Sequence, residues 1–167
     1  NKLYDENKKP SEDYDLWTRL SLFLEIENVP DIVLKYRIHQ NNYSTLQQEK
    51  QFENNLIIRE EYFKHYLKMR IKKNENILMN KIIYNNKLLK EDFLVLVNFF
   101  KNVLSFSKKH NDYLNIRQTI SFYWLKSIMN SKTINIQLII LLVKNIKLVS
   151  LTIFFNPFYI KKILHRI

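Results

Sequence analysis

The spacing of apolar residues predicts a first helix near the start of the chain. Leu16, Trp17 and Leu20, and then Phe23 and Leu24, recur at the intervals of one helical face. Such a face normally packs against the rest of a domain, so we expect Trp17 and Leu20 in the core.

The residues at the start of this helix are acidic. Ser11 can act as the N-cap, and Glu12, Asp13 and Asp15 follow it. The helix dipole and the free N–H groups of the first turn stabilise a carboxylate there. Two interpretations remain open: ordinary capping, or an ionised carboxylate that serves as a general base.

The next segment, "IVLKYRIH" (residues 32–39), alternates in part and is rich in β-branched residues, which predicts a strand that ends at His39. A single histidine in this position is either packed or solvated, or it is a metal ligand. The sequence "QNNYS" then predicts a turn, with Ser44 as the cap of the following helix.

The remainder of the chain shows only helical periodicity. A long amphipathic helix is predicted over 44–71, and Asn-rich joints separate the helices after it. The predicted fold is mainly α: a small α/β segment (residues 1–45) is followed by an all-α region (residues 46–167). The later helices are predicted at about 75–85, 90–108, 112–131 and 134–149, with a last one after Pro157.

Composition narrows the chemistry. The 167 residues suffice for one domain with a core, and they include no glycine and no cysteine. Average usage of ~7% would give roughly 12 glycines, and phosphate-binding glycine loops and nucleophile elbows depend on that residue. Without cysteine there are no disulfides and no thiolate metal sites. A nucleotide site must use other devices or lie outside this chain.

Charge is distributed unevenly along the chain, which carries a net +11. Residues 1–45 hold eight acids and six bases, whereas residues 93–167 hold one acid and eleven bases. A basic tail favours a polyanion or an anionic membrane surface as partner.

Two motifs in the first 45 residues resemble one enzyme family. "EDYDLWTRLSL" (residues 12–22) and "NVPDIVLKYRIHQNNYS" (residues 28–44) together resemble the C-terminal end of the catalytic domain of family 2 glycosyltransferases. These enzymes have the A-type nucleotide-sugar fold and commonly read E-D-Y-[DE]-L-W-x-R-L, followed by a strand ending Y-R-x-H. The resemblance covers roughly residues 3–44, and Leu3 stands where the family often has the glycine of "GYDE".

The resemblance implies roles for five side chains. Asp13 would be the base that deprotonates the acceptor hydroxyl in an inverting transfer, and Glu12 would orient the acceptor. Trp17, if it is not in the core, would form the floor of the acceptor site. His39 would contact the divalent cation or the donor diphosphate, and Arg37 would offset leaving-group charge or pair instead with Asp15.

The resemblance also implies a larger enzyme. Mg²⁺ or Mn²⁺ would stabilise the diphosphate, but the family's D-x-D carboxylates do not precede Asp13. The cation would therefore be bound mainly by residues outside this chain. The expected activity is transfer of a sugar from a nucleotide-sugar donor to a glycan or lipid-linked acceptor in cell-surface polysaccharide synthesis. This fragment alone would be inactive, and the enzyme would be cytoplasmic.

The basic tail leaves alternatives open. Its uncharged runs, 133–143 and 148–160, are shorter than the ~20 residues that span a bilayer. The tail is then either a buried helical bundle or a peripheral surface that rests on the inner face of the cell membrane. A basic nucleic-acid-binding module or a helical scaffold is the competing function. The lysines of the basic tail are scattered among large aliphatic residues, which disfavours nucleic acid as a partner.

Overall fold

The computed structural model describes residues 3–27, 29, 31–35, 46–108, 111–132, 140–141 and 143–150. In these ranges the chain is mainly helical and contains no strand, which confirms the predicted mainly-α class. The chain forms two compact units, Asn1–Ile71 and Lys72–Ile167. The predicted boundary near residue 45 separates a catalytic-domain end from a helical region, and it stays a prediction.

The first unit is built on two helices. Helix α1 spans Glu12–Leu20 and follows a short 3₁₀ turn at Glu6–Lys8. Helix α2 spans Gln48–Tyr62 and continues into a π-helical turn, Phe63–Leu67, and α1 packs against α2. The long helix predicted over 44–71 is therefore shorter than expected. It stops where Lys68 takes a left-handed conformation (φ 55°), which ends the helical hydrogen-bonding pattern.

Polar contacts connect α1 and the 3₁₀ turn to α2. The Nδ2 group of Asn54 on α2 donates to the carbonyl oxygens of Lys8 and Lys9, at 2.8 and 2.9 Å. Ser11 is the N-cap residue of α1, as predicted, but its side chain makes no capping hydrogen bond. Its buried hydroxyl instead donates to the Gln51 carbonyl at 3.4 Å. These bonds fix where α1 begins relative to α2.

The second unit contains three helices: α3 (Lys73–Ile83), α4 (Lys90–Ser107) and α5 (Tyr113–Met129). All three were predicted, with ends within two residues. Residues 140–141 and 143–144, inside the predicted helix 134–149, are helical and lead into a 3₁₀ turn at Ile146–Leu148. The helix predicted after Pro157 lies outside the described residues.

An aromatic cluster forms the centre of the second unit. Trp124 of α5 is 1% exposed and packs edge-to-face with Phe93 and Phe100 of α4, at centroid distances of 6.1 and 6.3 Å. Leu88, just before α4, forms an isolated parallel bridge with Ser131, just after α5. The three helices thus bury a hydrophobic core of their own. Nowhere in the described ranges is a helix long and apolar enough to cross a membrane.

In the first unit, far less of the apolar face of α1 is buried than the sequence predicts. Among the apolar residues of α1 only Leu16 is buried, whereas Trp17 is 53% exposed and Leu20 is partly exposed. Phe23 and Leu24 are exposed as well. The core assignment of Trp17 is therefore wrong, because α1 contacts one helix and one short turn, which cover only a narrow stripe of it.

The predicted strand is described only over its first half. Residues 31–35 form no strand, and Ile32, Val33 and Leu34 are exposed. The second half, with Arg37 and His39, lies outside the described residues. A strand requires a neighbour to pair with its N–H and C=O groups, and the described part of the chain offers none here.

Candidate active site

The three acids at the start of α1 have different surroundings, although they lie within one turn. Asp15 is 4% exposed, and its Oδ2 accepts hydrogen bonds from Nη2 of Arg19 at 2.8 Å and from Nε of Arg19 at 2.9 Å. Nη2 of Arg19 also donates to the Leu3 carbonyl at 2.9 Å. Asp15 therefore has a structural role that ties the N-terminal segment to α1.

Asp13 is the exposed acid of this turn. Its Oδ1 accepts a hydrogen bond from the backbone N–H of Tyr14 at 2.7 Å. In the described part of the chain no lysine or arginine forms an ion pair with it. A carboxylate that is oriented by the backbone but not neutralised can accept a proton from a bound hydroxyl.

Glu12 is partly buried beside Asp13. Its Oε2 atom is buried and lacks a hydrogen-bond partner among the described residues. A buried carboxylate oxygen without a donor is costly, because it has lost water and gained nothing in exchange. A hydroxyl or amide donor brought by a ligand would remove this cost.

Trp17 lies one turn beyond Asp13 on the same helix. Residues at positions i and i+4 are neighbours on a helix surface, with Cβ atoms about 5–6 Å apart. Both side chains are exposed, so α1 presents a carboxylate and an indole side by side to solvent. An aromatic ring next to a carboxylate suits a sugar, which has apolar C–H faces and hydroxyls that donate hydrogen bonds.

Arg37 and His39 lie outside the described residues, so their relation to Asp13 stays a prediction. Where the structure describes the chain, no group of three or more His, Asp and Glu side chains is arranged to hold a metal ion. The sequence reasoning paired a carboxylate with Arg37 as one alternative and overlooked Arg19. The signal was present, since Asp15 and Arg19 have the i, i+4 spacing of a helical ion pair.

Comparisons of the chain with protein families, with curated proteins and with solved structures find no match. The function must therefore be argued from the residues themselves.

Proposed function

We propose that this chain is the C-terminal part of an inverting family 2 glycosyltransferase. Residues 1–45 would end the A-type catalytic domain, and residues 46–167 would form a helical C-terminal region. The proposal is supported by the two motifs that resemble the family, in the same order and at matching separation. It is also supported by the surroundings of α1, which leave one acid available for chemistry.

The proposal rests on the difference between the surroundings of Asp13 and those of Asp15. Capping alone requires neither a particular partner for Asp15 nor exposure of Asp13. Here Arg19 pairs with the buried Asp15 through two contacts to its Oδ2 atom, while Asp13 is exposed next to Trp17. One acid stabilises the helix and the other faces the solvent, where an acceptor can bind.

In the proposed reaction Asp13 acts on the acceptor. A carboxylate oxygen of Asp13 takes the proton of the acceptor hydroxyl while the acceptor oxygen bonds to the anomeric carbon of the donor sugar. At the same time the bond from this carbon to the nucleoside diphosphate breaks. Glu12 accepts a hydrogen bond from a second hydroxyl of the acceptor, which orients it. Trp17 stacks against an apolar face of the acceptor sugar. A base that is positioned in this way contributes about 10²–10⁴-fold to the rate.

The donor half of the site would lie mainly outside this chain. Arg37 and His39 would approach the diphosphate from the end of the strand. A bound Mg²⁺ or Mn²⁺ would neutralise the negative charge that develops on the leaving group. The carboxylates for this cation would come from elsewhere in the enzyme, since no D-x-D pair precedes Asp13 in this sequence.

The exposed run Ile32–Leu34 supports the α/β assignment of this segment. Three consecutive apolar residues place side chains on both faces of a strand, a pattern that is typical of strands covered on both sides in parallel sheets. All three are exposed here. A sheet contributed by further residues of the enzyme would pair their backbone and cover both faces.

The proposed partners are a nucleotide-sugar donor and a glycan or lipid-linked acceptor, at the cytoplasmic side of the membrane in cell-surface polysaccharide synthesis. The 167-residue chain alone would neither transfer sugar nor bind the donor tightly.

The test is Asp13→Asn in the full-length enzyme. The change removes the base but keeps the size and the helix-start position, so turnover should fall about 10²–10⁴-fold while donor affinity stays near wild type. The matched control is Glu49→Gln, which neutralises an exposed first-turn acid of α2. Retention by Asp13→Asn of more than about a tenth of wild-type turnover would show that Asp13 is only a helix-start acid.

A further inference from the structure

The segment after α5 returns to pack on that helix through one buried serine. The Ser121 side chain is buried, and its hydroxyl oxygen accepts a hydrogen bond from the Ser150 backbone N–H at 2.8 Å. The single hydroxyl proton can be donated either to the Arg117 carbonyl at 2.8 Å, within α5, or to the Leu148 carbonyl at 3.0 Å. Asn145 and Leu148 are buried on the same side. These contacts determine which side of the described residues 143–150 faces inward.

The opposite side of this segment carries three exposed aliphatic residues at helical spacing. Ile140, Val143 and Ile146 follow one another at intervals of three, and each is exposed. Lys144 and Lys147 directly follow Val143 and Ile146 in the sequence, and both are exposed. These five residues, the outer row, form an aliphatic surface with interspersed lysines, held against α5 from behind.

The charge of the second unit favours an anionic partner for the outer row. Between residues 72 and 167 the sequence contains sixteen Lys and Arg but only four Asp and Glu. Two of the four acids already have partners within the unit. Glu75 accepts a hydrogen bond from the Lys72 backbone N–H, and Asp92 accepts one from the Leu89 backbone N–H and forms an ion pair with Lys81. Little negative charge is therefore left to offset the lysines at the surface.

We infer that the outer row docks on an anionic lipid leaflet. Ile140, Val143 and Ile146 would enter the boundary between headgroups and acyl chains, and Lys144 and Lys147 would reach lipid phosphates. Nucleic acid fits the outer row less well, because single strands are bound by stacking on exposed aromatic rings and this surface is aliphatic. The inference is independent of the proposed transferase. If both hold, the docked chain lies at the surface where lipid-linked acceptors reside.

Docking requires both the aliphatic residues and the lysines of the outer row. Three partly exposed aliphatic side chains give only marginal binding, and stable attachment to a membrane usually combines an apolar anchor with basic residues. Lysines act on the leaflet only within about a Debye length, so binding must weaken as salt rises.

The experiment is co-sedimentation of the 167-residue chain with vesicles of phosphatidylcholine alone, or of phosphatidylcholine mixed with phosphatidylglycerol. The chain should bind the mixed vesicles at low salt and not the neutral ones. The double variant Lys144→Glu, Lys147→Glu should lose about thirtyfold or more in affinity. The control is Lys101→Glu, Lys108→Glu, with the same change of charge at two exposed positions, one on α4 and one directly after it. It should stay close to wild type.

A second variant tests the apolar contribution. Val143→Ser with Ile146→Ser keeps every charge, and it should also weaken binding to the mixed vesicles, while circular dichroism shows unchanged helix content in all variants. The inference is overturned if the chain ignores anionic vesicles at low salt or if both lysine variants lose the same affinity. It is equally overturned if the serine variant binds like wild type, or if the outer-row lysines prove necessary for binding a single-stranded RNA probe but not vesicles.

Discussion

In the first helix, two nitrogens of Arg19 hold one carboxylate oxygen of Asp15, Nη2 at 2.8 Å and Nε at 2.9 Å. The acid is buried, while the guanidinium is partly exposed and also donates to the Leu3 carbonyl. This pair joins the N-terminal segment to α1 and leaves Asp13 without a cationic neighbour among the described residues. The proposed acceptor site depends on this arrangement, so its removal should be measurable apart from activity.

Arg19→Ala should loosen α1. The change leaves the buried Asp15 without its charged donors, and hydrogen bonds to charged groups contribute about 1.5–3 kcal/mol, with partial exposure of the arginine favouring the lower end. Hydrogen–deuterium exchange should show faster exchange across Glu12–Leu20. The control is Arg70→Ala, an exposed arginine of the same unit. Equal exchange in both variants would mean that the ion pair does not hold the helix.

The two tryptophans should report separately on the two units. Trp17 is 53% exposed and Trp124 is 1% exposed. The variant Trp17→Phe, which retains Trp124, should emit at short wavelength and resist quenching by acrylamide. The variant Trp124→Phe, which retains Trp17, should emit at long wavelength and be quenched readily. The opposite result would place Trp17 in a core, as its position on the apolar face first suggested.

In the proposed full-length transferase, His39→Ala should weaken donor binding rather than the proton step. An imidazole near the diphosphate acts on the leaving group and its cation, so affinity for metal and nucleoside diphosphate should fall. Titration calorimetry with and without Mn²⁺ measures this effect. His65→Ala, at an exposed position on the π-helical turn, is the matched control. If the two variants bind metal and nucleoside diphosphate alike, His39 is not part of the site.

The sequence predicted the helices of the second unit better than the surroundings of α1. Asn-rich joints and a strong helical periodicity of apolar residues mark α3, α4 and α5. The apolar faces of these three helices pack against one another. Periodicity also identified the apolar face of α1, but it cannot show whether a partner exists to cover that face. Trp17 was therefore misplaced. The position of the Ser11 cap was correct, yet the partner of its hydroxyl depends on tertiary packing against α2.

Two buried polar side chains, Lys126 on α5 and Asn130 directly after it, donate hydrogen bonds to the last carbonyls of α3. The Nζ group of Lys126 donates to the Ile83 carbonyl at 2.9 Å, and Nδ2 of Asn130 donates to the Ile82 carbonyl at 3.4 Å. The last carbonyls of a helix have no partner within it, and the helix dipole favours a cation at this end. The short polar contacts thus bring α5 to the C-terminal end of α3.

Lys126→Met should therefore destabilise the second unit, although the lysine is buried and charge burial opposes its contribution. Methionine keeps the apolar stem but removes the donor, which leaves the Ile83 carbonyl unsatisfied at a cost of about 1–3 kcal/mol. Relief from burying an ammonium group offsets part of this cost, so we expect a net loss of about 1 kcal/mol in the free energy of unfolding by urea. Lys101→Met, at an exposed position on α4, should change stability by about 0.5 kcal/mol or less. A Lys126→Met variant more stable than wild type would mean that burial of the charge outweighs its hydrogen bond to α3.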